Sequence, residues 1–252
     1  MRIEKTVPLI LAVVLSLGAG AGAFARTIYF GTVAEFAPYN MLDDNGTVQG
    51  FEAQLQQRLC ARENLDCAWV PVPRSDLARA LQSGDIDVIL SAYRITAAHK
   101  IYFDLTESYL PSAPGAILIR GHSGPPPAGS RVGALQGSAA ADQVLKNGWS
   151  LVTYTTPTDA IAALKSGAIS AYLGDKAHLK SVLKTASGEG LHLAKKEIPL
   201  DGGLAMAVRR ASPGLLAVLN AGIRSLKADG TLDQLIAHWF VAQKAEVQDA
   251  GN

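Results

Sequence analysis

The sequence predicts an α/β protein built from two similar lobes, and two observations support this fold class. Short runs of strand-forming residues alternate with amphipathic helical runs along most of the chain, a pattern typical of mainly parallel sheets flanked by helices. A helix–glycine–strand unit also occurs twice, at residues 76–91 and 159–174. Other elements separate the two copies, so the chain is not a repeat array.

The two copies share residues that mark a capped amphipathic helix, a Ser-Gly helix end and a buried strand. The shared pairs are Asp76/Asp159, Ala80/Ala163, Leu81/Leu164, Ser83/Ser166, Gly84/Gly167, Ile86/Ile169 and Leu90/Leu173. Two lobes of similar construction explain this similarity. Chance reuse of a common helix–glycine–strand unit is the alternative.

Local patterns predict the individual elements in chain order. Phe51, Leu55 and Leu59 recur at helical spacing, Ser75 is a candidate N-cap, and Pro213 is placed to open a long helix. Strands are predicted at 27–32, 68–72, 88–90, 116–119, 131–135, 151–155, 171–173 and 204–208. Helices are predicted at 51–63, 76–82, 139–146, 158–165, 175–183, 213–228 and 232–240.

The order of these elements predicts that the C-terminal helices return to the first lobe. The first lobe is then 26–112 plus 203–245, the second lobe is 113–202, and 246–252 form a tail. Two segments, near 110–113 and 199–203, would cross between the lobes. Two such crossings make a hinge, and a hinge between lobes makes a cleft that closes on a ligand.

Residues 1–25 have the pattern of a cleaved secretory signal. A basic start at Arg2 and Lys5 precedes an apolar run at 7–19, and Ala23 and Ala25 place small residues at a signal-peptidase site. A membrane anchor is the alternative, but the apolar run is short for a bilayer span. Cleavage after Ala25 predicts a periplasmic, soluble chain with equal numbers of basic and acidic residues.

Composition narrows the function classes further. The 252 residues include 23 basic and 22 acidic side chains without basic runs, which argues against nucleic-acid binding. Cys60 and Cys67 are the two cysteines, and in an exported chain such a pair predicts one disulfide rather than a metal site or a redox pair. We expect no metal and no cofactor.

The chain resembles the periplasmic polar amino-acid-binding proteins of ABC transporters, and it is most similar to the lysine/arginine/ornithine and histidine branch. The stretches that carry the resemblance are Gly31-Thr32, residues 36–39, Gly50-Phe51-Glu52, the Cys60/Cys67 pair with residues 68–70, residues 81–87, Ile95-Thr96, residues 102–104, residues 132–138, residues 173–175 and residues 226–231. This resemblance implies the two-lobed periplasmic-binding-protein fold, a small-molecule ligand, an ABC transporter permease as partner, and a monomer.

The resemblance also implies roles for individual residues. Phe36 matches the aromatic residue that covers the ligand, and Asp175 matches the partner of the ligand ammonium. Ser138 matches the hydroxyl at a helix start that favours an anion, and Ser91 matches a hydroxyl of the first lobe. Glu35 is a further candidate for ligand contact.

Five positions depart from the family pattern, and one of them is Ala92, which stands in place of a hydroxyl. His99 stands where the family places its carboxylate-binding Arg, and Arg94 appears five residues earlier. Val33 replaces the Asp that meets a distal cation, and Arg74 occupies a position that is often aromatic. Either Arg94 takes over the carboxylate, or Arg94, Arg74 and His99 bind an anion other than a standard amino acid.

Two other functions stay open from sequence alone. A periplasmic dehydratase, of the cyclohexadienyl type, shares the fold, and its general acid would have to be Glu35 or Asp175. A soluble ligand-sensing partner of a periplasmic receptor or dehydrogenase is the other alternative. We expect a binding protein rather than an enzyme, with no catalytic residue.

Overall fold

The computed structural model describes residues 26–94, 96–111, 114–121, 124–200 and 202–241. It contains two five-stranded sheets, each flanked by helices, and this confirms the predicted two-lobed α/β fold class. The predicted signal segment 1–25 and tail 246–252 lie outside the described residues. Within the described part of the chain, no helix is long and apolar enough to cross a membrane.

The first sheet has the strand order β5-β1-β6-β13-β7. Its strands are β5 (Cys67–Pro71), β1 (Ile28–Thr32), β6 (Val88–Ile89), β13 (Ala207–Val208) and β7 (Asp104–Leu105). The strands β5, β1 and β6 are parallel, whereas β13 is antiparallel to both β6 and β7. The sheet is therefore mixed, with its parallel half built from the first part of the chain.

Five helices and a small sheet complete the first lobe. The helices are α1 (Phe51–Arg62), α2 (Leu77–Ser83), α3 (Ala97–Tyr102), α7 (Pro213–Ala228) and α8 (Thr231–Ile236). The small antiparallel sheet consists of β2 (Glu35–Phe36), β3 (Asn40–Leu42) and β4 (Val48–Gln49). Helices α1, α7 and α8 pack against one another, so the C-terminal segment does return to the first lobe.

The second sheet repeats the arrangement of the first, with the strand order β10-β9-β11-β8-β12. Its strands are β10 (Ser150–Tyr154), β9 (Arg131–Leu135), β11 (Ala171–Asp175), β8 (Gly115–Arg120) and β12 (Leu191–Ile198). Here β10, β9 and β11 are parallel, and β8 is antiparallel to β11 and β12. Helices α4 (Ala139–Lys146), α5 (Pro157–Ser166) and α6 (Lys176–Leu183) cover it.

The repeated sequence unit forms the centre of each sheet. Its two copies are α2 followed by β6 and α5 followed by β11, and each of these strands is third in its sheet. Both helices end at a glycine in the left-handed region, Gly84 at φ +90° and Gly167 at φ +79°. Glycine adopts this conformation at little cost, which explains why both copies keep it.

Apolar side chains bury both faces of the central strands. In β6 and the residue after it, Val88 and Leu90 pack in one core, whereas Ile89 packs in another with Leu77 and Leu81. Neighbouring residues of a strand point to opposite faces, so a strand covered on both sides needs an unbroken apolar run. The run Val88-Ile89-Leu90 meets that requirement.

The two chain segments that join the lobes pair with each other. Leu204 N–H donates to the Leu110 carbonyl at 2.9 Å, and Tyr109 N–H donates to the Leu204 carbonyl at 3.0 Å. Leu204 also forms a β-bridge with Arg94. The two segments that connect the sheets thus lie side by side and are hydrogen-bonded to each other.

Several elements differ from the sequence predictions. The short strands β2–β4 and β7 and the six-residue helix α3 were not expected, because such short pieces carry no measurable periodicity. Strand β12 was also missed, since exposed Lys195, Lys196 and Glu197 interrupt its apolar pattern. The strand expected at 204–208 is shorter, because Leu204 pairs within the crossing. The last helix stops at Ile236, before a π-helical turn.

The predicted disulfide is present. Cys60, in the last turn of α1, is bonded to Cys67, the first residue of β5. The bridge joins a helix end to the edge strand of the first sheet. Its main effect is to restrict the unfolded chain across a short loop.

We predict that replacing both Cys60 and Cys67 with Ala lowers the free energy of unfolding by about 2 kcal/mol, the value for a short closed loop. Urea unfolding of the oxidised chain and the double variant would measure the difference. Reducing the wild-type chain should reproduce the loss. Equal stabilities of the oxidised chain and the variant would contradict the prediction.

Candidate functional site

A pocket lined by residues of both lobes lies between the two sheets. The first lobe and the crossings contribute Phe36, Arg74, Ala92, Arg94, His99, Leu200 and Leu204 to its lining. The second lobe contributes Leu135, Gly137, Ser138, Ala139, Ala140, Tyr172, Leu173, Gly174 and Asp175. Six of the eight ligand-contact residues predicted from sequence therefore line one pocket.

Arg94 reaches across the pocket from the first lobe. Its Nη2 donates to Asp175 Oδ2 at 2.7 Å, and its Nη1 donates to the Gly202 carbonyl at 3.2 Å. Only 8% of its side chain and 7% of that of Asp175 are exposed, so the ion pair is buried. Its backbone is held by the β-bridge to Leu204, which ties the side chain to a crossing segment.

Asp175 is also the N-cap of α6. Its Oδ1 accepts hydrogen bonds from the backbone N–H groups of Ala177 at 2.9 Å and His178 at 3.2 Å. The same oxygen accepts from the Tyr39 hydroxyl of the first lobe at 3.0 Å. Asp175 therefore caps α6 through Oδ1 and pairs with Arg94 through Oδ2, whereas its predicted contact with a ligand ammonium stays a prediction.

Arg74 enters the pocket from the turn before α2. Its Nε donates to the carbonyl of Gln136 in the second lobe at 3.3 Å, and the side chain is half-buried. Within the described residues, no carboxylate lies within ion-pair distance of its guanidinium. Arg74 thus brings to the pocket a positive charge that no carboxylate of the described residues pairs with.

Ser138 begins the helix that faces Arg74. Its hydroxyl accepts from Ala141 N–H at 3.2 Å and donates to the Leu135 carbonyl at 2.6 Å, which makes it the N-cap of α4. The next two residues, Ala139 and Ala140, line the pocket at the first turn. Backbone N–H groups at a helix start have no partner within the helix and favour an anion.

Phe36 is held in an aromatic stack that spans both lobes. Its ring lies 4.1 Å from that of His178 and 5.6 Å from that of Tyr39. His178 Nδ1 lies 2.8 Å from the Ala37 carbonyl and therefore donates to it, since a carbonyl only accepts. Burial lowers the pKa of His178, which keeps the ring neutral in the stack.

His99 occupies the position of the expected arginine and lines the pocket, but its ring is engaged by neighbouring residues of its own lobe. Its ring stacks on Tyr93 at 4.0 Å, and Nδ1 donates to the Arg94 carbonyl at 2.7 Å. Burial lowers its pKa, while hydrogen bonds to the backbone of Arg94 and Gly137 act in the opposite direction. A neutral, stacked imidazole cannot offer the two parallel donors of a guanidinium.

The two remaining predicted residues lie outside the pocket lining. Ser91 is buried, and its hydroxyl accepts from the Val33 N–H at 3.0 Å. Glu35 is exposed in β2. Their predicted contact with a ligand stays a prediction. Among the described residues, no group of three His, Cys, Asp or Glu side chains is placed to hold a metal ion.

Comparison with known proteins places the chain in a family. Residues 28–242 match the family model of the bacterial extracellular solute-binding proteins, family 3. The chain belongs to this family. It is 28% identical over 253 residues to the histidine-binding periplasmic protein of Escherichia coli (strain K12), covering 94% of this chain and 97% of that protein. It is 27% identical over 228 residues to the L-arginine-binding protein of Pseudomonas aeruginosa, covering 85% and 88%.

A solved structure supports the same conclusion. The chain is similar to a periplasmic His/Glu/Gln/Arg/opine family-binding protein from Silicibacter pomeroyi in complex with lysine, with a TM-score of 0.79 and 31% identity. The match covers 84% of this chain and 96% of that chain. The resemblance inferred from sequence motifs is thereby confirmed at the level of the family.

Sequence reasoning missed part of this family 3 site. Tyr172 lines the pocket, and Tyr39 and His178 contact its lining residues Asp175 and Phe36, although none of the three was singled out as a site residue. Tyr39 was visible as the end of the Phe36-Ala-Pro-Tyr stretch. No sequence signal marks His178, because only the folded chain brings α6 against the Ala37 carbonyl.

A buried carboxylate supports the pocket floor of this family 3 protein. Glu52 is 0% exposed and accepts hydrogen bonds from Asn40, from the Tyr109 hydroxyl and from the Ala92 N–H, the last at 2.7 Å. Ala92 lines the pocket and has a φ of 47°, a strained conformation for a residue with a Cβ. Glu52 therefore holds the loop that carries Arg94.

Burial raises the pKa of Glu52 from 4.5 to about 7, and the three hydrogen bonds only partly offset that effect. The folded chain thus keeps this proton to a higher pH than the unfolded chain does. The stability that comes from the protonated form is complete below pH 4.5 and is lost as the pH rises through about 7.

We predict that Glu52→Gln removes this dependence. Relative to the variant, the wild-type chain should lose about 3 kcal/mol of unfolding free energy between the two pKa values. Urea unfolding across the acid-to-neutral range would measure it, with the exposed Glu189→Gln as control. Parallel stability curves for wild type and Glu52→Gln would refute the assignment.

Proposed function

We propose that this protein is a periplasmic solute-binding protein. It captures a small carboxylate-bearing molecule between its lobes and delivers it to the permease of an ABC transporter. The observation that carries the proposal is the pocket itself, where Arg74, Arg94 and the first turn of α4 meet between two lobes. Residues 1–25 serve as the signal peptide, cleaved after Ala25, and the mature chain works as a monomer.

The position of the pocket suits capture by hinge closure. Its walls come from both lobes, and its base includes Leu204 of the paired crossings. A ligand that contacts both walls favours the closed arrangement by the difference between its affinities for the closed and open states. The proposed lobes are 26–112 with 203–245, and 113–202.

The chemistry of the lining suits an anionic group. Two guanidinium groups and the positive end of α4 surround the space, and the pocket is shielded from bulk solvent on the side of Arg94 and Asp175. Charge-assisted hydrogen bonds to a carboxylate are strongest in such surroundings. Arg74 and the start of α4 are proposed as the main ligand contacts, with Arg94, Phe36 and His99 as flanking walls.

Binding without turnover is the proposed activity. Asp175, the carboxylate in the described lining, is bonded to Arg94 and caps α6, so its oxygens are occupied by structural contacts rather than directed at a ligand. The named relatives are binding proteins. We therefore propose that the protein captures its ligand and does not convert it.

We predict that the mature protein, refolded to remove any bound molecule, is stabilised by at least one member of a panel of amino acids and small carboxylates. A ligand at one hundred times its Kd adds about 2.7 kcal/mol of stability, which thermal unfolding detects readily. Mass spectrometry of the ligand after incubation should show it unchanged.

Small-angle scattering of the same samples gives a second measurement. If the free protein is open, a ligand that closes the hinge should reduce its radius of gyration. If the free protein is already closed, the ligand should leave the radius unchanged and raise the unfolding temperature. Conversion of the ligand to a product would overturn the binding proposal in favour of an enzyme. A panel without any stabilising compound would also count against it.

A further inference from the structure

The charge balance of the pocket differs from that required by an amino acid. A zwitterion needs donors for its carboxylate and an anionic acceptor for its ammonium. Among the described residues of the lining, Asp175 is the one carboxylate, whereas Arg74 and Arg94 are both cationic. His99 brings no negative charge, and burial lowers the pKa of its ring. The lining therefore carries at least one more positive than negative charge.

Asp175 is already ion-paired. Its Oδ2 accepts from Arg94 at 2.7 Å, and its Oδ1 accepts from Tyr39, Ala177 and His178. A carboxylate has about four acceptor positions, two on each oxygen, so the position left over is the second one on Oδ2, beside Arg94. A ligand ammonium there would share one buried carboxylate with the Arg94 guanidinium and place a second cation against it, which is unfavourable.

Arg74 has the opposite character. Its Nε uses the Gln136 carbonyl, while the described residues supply no hydrogen-bond acceptor to its two Nη atoms. Gln136 lies two residues before Ser138, the N-cap of α4, and Arg74 lines the same pocket as the first-turn residues Ala139 and Ala140. These donors together make a carboxylate site that needs no contribution from Asp175.

The rest of the lining is mostly apolar. Leu135, Leu173, Leu200, Leu204 and Ala92 surround the space beyond these donors. Such a surface suits a hydrocarbon body and offers no acceptor for an ammonium group. The aromatic ring of Tyr172 adds a flat wall to the same space.

We infer that the cleft takes a carboxylate that carries no ammonium group, with its anionic end on Arg74 and the start of α4 and an apolar body toward Leu200 and Leu204. This inference rests on the proposed binding function and narrows its ligand class. The Arg94–Asp175 pair then acts as a fixed wall of the site, which excludes the α-ammonium of amino acids.

The test compares matched compounds that differ by one ammonium group. Isothermal titration calorimetry would measure leucine against 4-methylpentanoate and phenylalanine against 3-phenylpropanoate on the mature protein. The inference expects each carboxylate to bind at least tenfold more tightly than its amino acid. Equal or tighter binding of the amino acids would overturn the inference and leave the proposed function intact.

One variant tests the role of Arg74. Arg74→Gln should weaken carboxylate binding at least tenfold, whereas Arg79→Gln, at an exposed residue of α2, should leave it unchanged. Undiminished carboxylate binding in Arg74→Gln would contradict the inference. If no compound of either class binds the wild-type chain, the inference and the proposed function fail together.

Discussion

The buried ion pair between Arg94 and Asp175 is the interaction on which the site depends. It joins the two lobes across the cleft at 2.7 Å, with both side chains more than nine-tenths buried. A buried pair is stable only when its remaining hydrogen-bonding groups are also satisfied. The Gly202 carbonyl satisfies Arg94, and Tyr39 with two N–H groups of α6 satisfies Asp175.

The remaining residues of the cleft follow from that pair. Because Arg94 is committed to Asp175, the charge available to a ligand comes from Arg74 and from the start of α4. His99 places an imidazole, rather than a second guanidinium, next to Arg94. Its ring stacks on Tyr93, and its Nδ1 donates to the Arg94 carbonyl. Glu52 also holds this loop, because its carboxylate accepts a hydrogen bond from the Ala92 N–H.

Much of the fold could be predicted from the sequence, because long elements carry a strong local signal. Helix α7 has a proline at its start and a regular apolar stripe, and the Gly84 and Gly167 units repeat the same helix ending. The short strands of β2–β4 carry no such signal. They form because β3 pairs with both neighbours once the chain has folded.

The sequence predicted several of the residues that line the site but not which of them bond to one another. Motif positions pointed to Arg94, Asp175 and Phe36, yet the ligand roles assigned to Arg94 and Asp175 assumed that each was free. That they bind each other is a property of three-dimensional distance, since 81 positions separate them. The stacking of Phe36 on His178 is likewise a contact between lobes that no local pattern encodes.

A double-mutant cycle on Arg94 and Asp175 tests the central claim most directly. Urea unfolding would be measured for wild type, Arg94→Met, Asp175→Asn and the double variant, with the exposed Arg224–Glu107 pair as a control that should couple weakly. A direct buried pair predicts that the double variant loses about 2 kcal/mol less than the sum of the single losses. Single losses that add to within about 0.5 kcal/mol would contradict the claim.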